Sequence, residues 1–441
     1  VSDETKNDGT WIVVVVGGVI VLAAAFCLVA GVGLLGFAFF GRSVAVSPPS
    51  SVQVTVPPLP TALPTALPTP SPQPPEGSQG GDDQGSDGQS GGDQGSDGQS
   101  GDDQESDTQS GEDIAEQMAA VEEQVADVRG LPVLADVPKA YLSPEDLHER
   151  VVDDFFEDYT SEEARDDTLF FAALDAVPPD FDFYAFYIDL YSEGIAGYYD
   201  PEEDEFFLIG SGETFTASDE WVFSHEFTHA LQDQHFDLEV FLHYDDDEWH
   251  IEHADASTAR TALIEGDAVL TSMLYLVGCM STERQTEVWA ESMAQEEPAI
   301  YASAPPFLLE DFFFPYEWGY LFVETLHDRG GYDLVDQAYA DPPTTTEQIL
   351  HPERYLDRDE PQAVDLQDAQ AVLGEGYREV YVQPLGEWYL QLYLKQFIST
   401  SEAEQAAAGW DGDRIAVYAD EESEALVMVL RTVWDSAGEA G

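Results

Sequence analysis

Lysine is almost missing from this chain. Three of its 441 residues are Lys (Lys6, Lys139 and Lys395), and 15 Lys plus Arg stand against 89 Asp plus Glu, for a net charge of -74. A polyanion of this size is repelled by phosphate backbones, which excludes nucleic-acid binding as its main work. Adhesion to anionic lipid through a basic patch is excluded on the same ground. Cysteine is scarce too. Cys27 and Cys279 lie far apart in different segments, so no disulfide framework is expected. Apolar material is plentiful: 43% hydrophobic and 12% aromatic residues are enough for a substantial core, so the whole chain is not disordered. Carboxylates at this density repel one another in dilute buffer, and molar salt screens them to within a few ångströms. The composition reads as adaptation to high salt. A generic acidic surface is the plainer alternative.

Residues 1–10 form a short polar tail, and Trp11 to Phe40 is a nearly continuous apolar stretch with no charge inside it. A bilayer core takes some 20 helical residues, so this stretch is long enough to span it with tilt. It is long for a signal-peptide core of about 7–15 residues. The expectation is a single transmembrane helix, with a cleaved signal as the alternative. Lys6 on one flank and Arg42 on the other tie under the positive-inside rule. The large part follows the span, and what comes next looks like a stalk, so that part is placed outside the cell. Ser47 to Pro75 is proline-rich and favours extended polyproline II. Three ten-residue units follow (GDDQGSDGQS, GGDQGSDGQS and GDDQESDTQS, residues 81–110). They carry no apolar side chain, cannot build a core, and lack the apolar position of nonapeptide calcium repeats. Residues 41–112 therefore read as a disordered stalk, and 113–441 as one folded domain.

Ile114, Met118, Val121, Val125 and Val128 fall at spacings of four and three, which predicts an amphipathic helix over 113–129. Ser143-Pro144-Glu145-Asp146 predicts a capped helix running to about Tyr159. A further helix is predicted over 161–176. GYYDP (197–201) leads through an acidic turn into residues 205–210, which reads as a β-hairpin. Helical signals return at Ser218 and dominate to the end, giving a mainly α fold with a small β-sheet, of the α+β class.

The informative run is His225-Glu226-Phe227-Thr228-His229, an H-E-x-x-H sequence. On a helix, positions i and i+4 stand one above the other, so both imidazoles reach one ion. The adjacent glutamate is then placed to take a proton from water activated by that ion, as zinc sites require. Thr216 or Ser218 can cap this helix, and Asp219 and Glu220 suit its first turn. The bland alternative is a surface helix with two solvated histidines.

A catalytic zinc needs a third protein ligand and an open position. Glu265 lies 36 residues after His229, in a helix expected from about Ala254 to Val277, as an acid among Leu263, Ile264, Val269 and Leu270. Burying a carboxylate there costs several kcal/mol unless it is paired or binds metal. His235 competes, because its spacing fits the metzincin pattern. That pattern has glycine where this chain has Gln232, so the helix is expected to continue and carry His235 away. Glu265 is the preferred ligand.

HEFTHALQDQHFDL (225–238), ALIEGDA (262–268), GYYDP (197–201), PPTTTEQILHPERY (342–355) and GWDGDR (409–414) together resemble a widespread, poorly characterised group of bacterial and archaeal proteins of the zincin superfamily. The resemblance covers about residues 115–441. It implies a Glu-zincin metallopeptidase with Zn2+ held by His225, His229 and Glu265, and with Glu226 as general base. The thermolysin pattern places an acid four residues after the ligand glutamate, where it orients the first histidine. Here that position is Val269, and Asp267 is off that face on an ideal helix.

His351 is a candidate donor to the tetrahedral oxyanion, against a plain helix cap in which Thr346 starts a short helix ending at Pro352. Arg414 is read as a structural ion pair ahead of a substrate-carboxylate site. His243, His250 and His253 with Asp245, Asp246 and Asp247 match no helix face as a second metal site. Phe312 to Tyr316 reads as core. The sequence thus predicts a membrane-anchored zinc endopeptidase acting on peptide or protein substrates, with the GYYDP hairpin offering an edge strand to an extended chain. The alternatives are a latent or inactive zincin-fold surface binding protein and a metal-dependent hydrolase of non-peptide substrates.

Overall fold

The computed structural model describes residues 111–441 apart from 153–158, 202–203, 245–246, 295–297, 368, 375, 421–422, 424, 439 and 441. The expected tail, transmembrane helix and nearly all of the expected stalk lie outside the described residues. The described part is mainly helical with two small sheets.

In chain order the elements begin with α1 (Gly111–Arg129), β1 (Lys139–Leu142), α2 (Pro144–Arg150), α3 (Ser161–Ala173), α4 (Phe183–Gly194), β2 (Gly197–Asp200) and β3 (Glu205–Ile209). The central helices are α5 (Ala217–Phe236), α6 (Leu238–Leu242), α7 (Asp247–Glu252), α8 (Ala254–Gly278), α9 (Thr282–Ala294), α10 (Ala299–Ser303), α11 (Pro306–Gly330) and α12 (Tyr332–Ala340). The chain closes with α13 (Thr346–Leu350), α14 (Pro352–Asp357), α15 (Gln370–Leu373), β4 (Tyr377–Gln383), α16 (Gly386–Lys395), α17 (Thr400–Ala407), β5 (Trp410–Asp420) and β6 (Leu426–Trp434).

The core is built on α5, α8 and α11. From Trp221 to Gln232 every side chain of α5 is buried, and α8 is buried along most of its length. Among the described residues α8 is also the helix long and apolar enough to cross a bilayer, but it is wrapped by the protein. Its crossing with α11 is close. A Cβ on Gly266 would stand 2.1 Å from the Gly319 carbonyl oxygen, and one on Gly319 would stand 2.1 Å from that of Ala262. Glycine at both positions lets the two backbones touch, and this crossing seats Glu265 and Asp267 on either side of Gly266. At its own start, α5 is closed by a reciprocal cap. Thr216 Oγ1 accepts from Asp219 N at 3.1 Å, and Thr216 N donates to Asp219 at 2.8 Å. Ser218, the other cap expected, instead bonds Glu291.

The first sheet has the order β1-β3-β2, with β1 parallel and β2 antiparallel to β3. The hairpin is as expected, and β2 forms one edge beside α5. Gly197 permits that approach, since a Cβ there would stand 3.1 Å from Val222. β1 is an addition that the sequence pattern did not give. So is α4, a capped helix so rich in Phe and Tyr that its period is hidden. Helix α2 ends at Arg150 as a regular α-helix, and residues 153–158 of the expected helix lie outside the described residues. Helix α1 begins at Gly111 and buries Ile114, Met118, Val121 and Val125 as expected, but its last buried residue is Arg129, while Val128 is half-buried.

The expectation of helix to the end of the chain is corrected by the second sheet. It is an antiparallel meander, β4-β5-β6, joined to α3 by Tyr381, whose hydroxyl donates to Asp167 at 3.0 Å, and by the Arg378–Asp166 ion pair. GWDGDR belongs to this sheet. Asp413 accepts from Leu385 N at 2.6 Å, Gly386 N at 3.0 Å and Trp410 Nε1 at 2.6 Å, closing the turn into α16. Arg414 donates to the Val382 carbonyl at 3.2 Å, in keeping with a structural role.

Candidate metal centre

His225 and His229 lie one turn apart on α5, and α8 brings Glu265 against them. The two Nε2 atoms are 3.1 Å apart, and Glu265 Oε2 is 3.4 Å from each. Tetrahedral bonds of about 2.0–2.1 Å set donor atoms about 3.3 Å apart, so these three separations are what one zinc-sized ion needs. His225 and His229 are 0% exposed and Glu265 is 1% exposed, which rules out the surface helix with solvated histidines. Among the described residues this is the group of three His, Cys, Asp or Glu able to hold a metal ion.

The electrostatics agree with that donor set. Burial pushes the His225 imidazole down to about 4, further helped by His229, so its lone pair is free at neutral pH. Burial alone would raise Glu265. The two imidazoles outweigh it and hold the carboxyl below its usual range. Both Glu265 oxygens and His225 Nδ1 lack a hydrogen-bond partner within the protein. The Glu265 carboxylate, buried with neither oxygen hydrogen-bonded, carries a desolvation cost that a bound cation would offset.

Glu226 is beside them and 0% exposed. Burial, reinforced by Glu265, pushes its carboxyl well above the usual range. The Tyr199 backbone N–H on β2 approaches closely enough to favour the charged form, but neither Glu226 oxygen completes a hydrogen bond. The edge strand and the carboxylate of the motif therefore face one another.

The ring of His229 is held from behind. Its Nδ1 lies 2.8 Å from Gln232 Oε1, and Gln232 Nε2 donates to the Ile264 carbonyl and to Asp267 Oδ2, both at 3.0 Å. Asp267 also accepts from the Tyr339 hydroxyl at 2.9 Å, and Arg129 Nε lies 2.7 Å from its other oxygen. Arg129 continues to Asp336 at 2.7 Å and stacks over the Tyr332 ring at 4.5 Å. Burial works against its charge, and Asp267, Tyr339 and Asp336 outweigh burial and hold it above its usual range. Sequence reasoning assigned none of these roles. Asp267, off-face for the first histidine, serves the second one through Gln232. Its signal was available in part, since Gln232 is three residues after His229 and so on the same helix face.

His235 does not join the group. α5 runs past it to Phe236, and its Nε2 bonds the Pro132 carbonyl at 2.8 Å. His351 is also outside it. Its Nε2 lies 3.1 Å from Glu387 Oε1, and this hydrogen bond holds the imidazole above its ordinary range. The adjoining helix α13 docks on α8 at Asp255, where Thr346 Oγ1 donates at 2.5 Å. Ten residues separate Asp255 from Glu265, about 15 Å along a helix. The cap of α13 is Thr345, not Thr346. His243 and His253 both stack on Trp249, at 4.0 and 5.0 Å, while His250 Nδ1 meets Ser257 Oγ at 3.1 Å. Asp245 and Asp246 lie outside the described residues. Phe312, Phe314 and Tyr316 are core, as expected.

A family model described as a domain of unknown function, DUF8575, matches residues 375–441. That match runs over the second sheet with α16 and α17, and stops short of the His-His-Glu group. No curated protein and no solved structure matches the chain.

Proposed function

We propose that this chain is a zinc-dependent endopeptidase of the Glu-zincin type, with His225, His229 and Glu265 as ligands and Glu226 as general base. The observation that carries the proposal is the convergence of three buried donor atoms at 3.1–3.4 Å beside a buried, unpartnered glutamate. Two imidazoles and one carboxylate suit zinc better than calcium or magnesium, which take all-oxygen sets. Bound there, the ion supplies Lewis acidity toward a carbonyl oxygen and lowers the pKa of water.

The chain's own residues do the rest. Glu226 takes the proton of the attacking water and returns it to the leaving amide nitrogen; burial and Glu265 raise its carboxyl, and a bound cation would work in the opposite direction and keep it ionised. An extended peptide laid along β2 would put its backbone next to Glu226, with main-chain hydrogen bonds fixing its register. The proposal includes a membrane anchor at residues 11–40, a stalk over residues 41–110 that ends where α1 begins, a cell-membrane location with the domain outside, and peptide or protein substrates. Those parts are supported by sequence pattern. His351, paired with Glu387, supplies nothing to the proposal.

The test is digestion of an unfolded protein by the full-length chain in molar salt with Zn2+, beside Glu226→Gln. We expect cleavage by the parent and a loss of at least about 10²-fold in the variant, with zinc still bound, as removal of a general base requires. Stoichiometric zinc with no cleavage by the parent would favour a zincin-fold surface binding protein instead.

A further inference from the structure

We propose that Gln232, Asp267 and Arg129 are positioning residues that fix the His229 imidazole, so that the last residue of α1 is part of the metal centre. The inference rests on the metal-centre reading above and adds to it. The amide of Gln232 joins the ring to the other two residues. Its two ends are chemically distinct, and the surroundings decide which way it points. One end faces two acceptors, the Ile264 carbonyl and Asp267 Oδ2, both at 3.0 Å. That end must be the NH2. The oxygen then faces His229 Nδ1 at 2.8 Å, and an oxygen can only accept. Nδ1 therefore carries a hydrogen, and the lone pair of the neutral ring is on Nε2, the atom that meets His225 and Glu265.

Asp267 is what gives the amide its direction. It is 0% exposed, and a buried carboxylate needs compensation. Arg129 supplies it from α1, with Nε 2.7 Å from one oxygen and 3.0 Å from the other. Arg129 is itself 0% exposed and held by Asp336 and the Tyr332 ring on α12. Four helices thus contribute to the orientation of one ring. His225 has no such support, since its Nδ1 lacks a partner. The second histidine, not the first, is the fixed one.

The test uses the full-length chain in molar salt, with Zn2+ alone as the probe and a competing chelator to read its dissociation constant. Gln232→Met keeps the length of the side chain and removes all three hydrogen bonds. We expect it to weaken zinc binding about 10–100-fold, the usual effect of losing a group behind a ligand. Arg129→Met should act in the same direction and should add little in the Gln232→Met background, because the relay is already cut. With Co2+ in place of Zn2+, the visible absorption of Gln232→Met should change as the ring turns. Asp311→Asn is the control. Asp311 is half-buried and accepts from Trp388 Nε1 and the Tyr389 hydroxyl, neither of which belongs to the relay, so its loss should lower the thermal midpoint and leave the zinc constant and the Co2+ spectrum alone. A folded Gln232→Met with the parent's zinc constant and Co2+ spectrum overturns the proposal, as does an equal loss in Asp311→Asn. If Gln232→Met does not fold, Gln232→Glu decides by the same two readings. It keeps the acceptor for His229 but sets a carboxylate against Asp267. A parent that binds no zinc overturns the metal-centre reading itself, whereas a parent that binds zinc with unaffected variants overturns the relay alone.

Discussion

At the scale of single residues, the ligand set makes a sharp prediction. Glu265→Ala should abolish stoichiometric zinc binding, and His235→Ala should leave it intact, because His235 bonds a backbone carbonyl on the outer end of α5. Metal content after gel filtration decides this, and the reverse pattern would mean that the third ligand is wrong. The candidate ligands were legible because their chemistry is local. His225 and His229 share a helix face by spacing alone, and Glu265 stands out as an acid in an apolar stretch. The residues behind them were not legible. Asp267 is bonded to groups 35, 72 and 138 positions away, and no window on the sequence joins them. Arg129 ends an amphipathic helix, where a charge usually faces solvent, and nothing in the pattern marks this one as buried.

At the scale of elements, the crossing of α8 and α11 carries the centre. Gly266→Ala and Gly319→Ala each drive a methyl group to 2.1 Å from a backbone oxygen, so the helices must part. Each should cost about 1–3 kcal/mol or more by overpacking. Chemical denaturation with unchanged slope would read it, and a midpoint equal to the parent's would mean the helices can shift freely. A looser crossing should also weaken zinc binding, since Glu265 and Asp267 flank the contact. Elements with long, regular patterns (α1, α5 and α8) were legible. β1 was not, because its four residues pair with β3 across more than sixty positions. β5 and β6 escaped notice for another reason. Both β5 faces are largely buried, so it shows no alternation, and an apolar run of that kind reads equally as helix or strand.

At the scale of the whole molecule, stability should fall as pH rises. Burial pushes Asp167, Asp255 and Asp311 up to about 7, Glu347 to about 8 and Asp413 to about 6. Between about pH 4 and those values the folded chain keeps protons that the unfolded chain releases, so unfolding is favoured by each step upward in pH. His225, pushed down to about 4, works the other way between pH 4 and 6.5, and it is one group against five. In molar salt, where surface repulsion is screened, the thermal midpoint should therefore be higher at pH 5.5 than at pH 8. An equal or opposite trend would show that these acids are charged or solvated in the fold. A second scan, at fixed pH from dilute buffer to several molar KCl, should raise the midpoint steadily, given a net charge of -74. The place of α1 has a mechanical consequence. Its last side chain is tied to Asp267 on α8, so a displacement of α1 would be felt at the carboxylate that directs Gln232, and through it at the His229 ring.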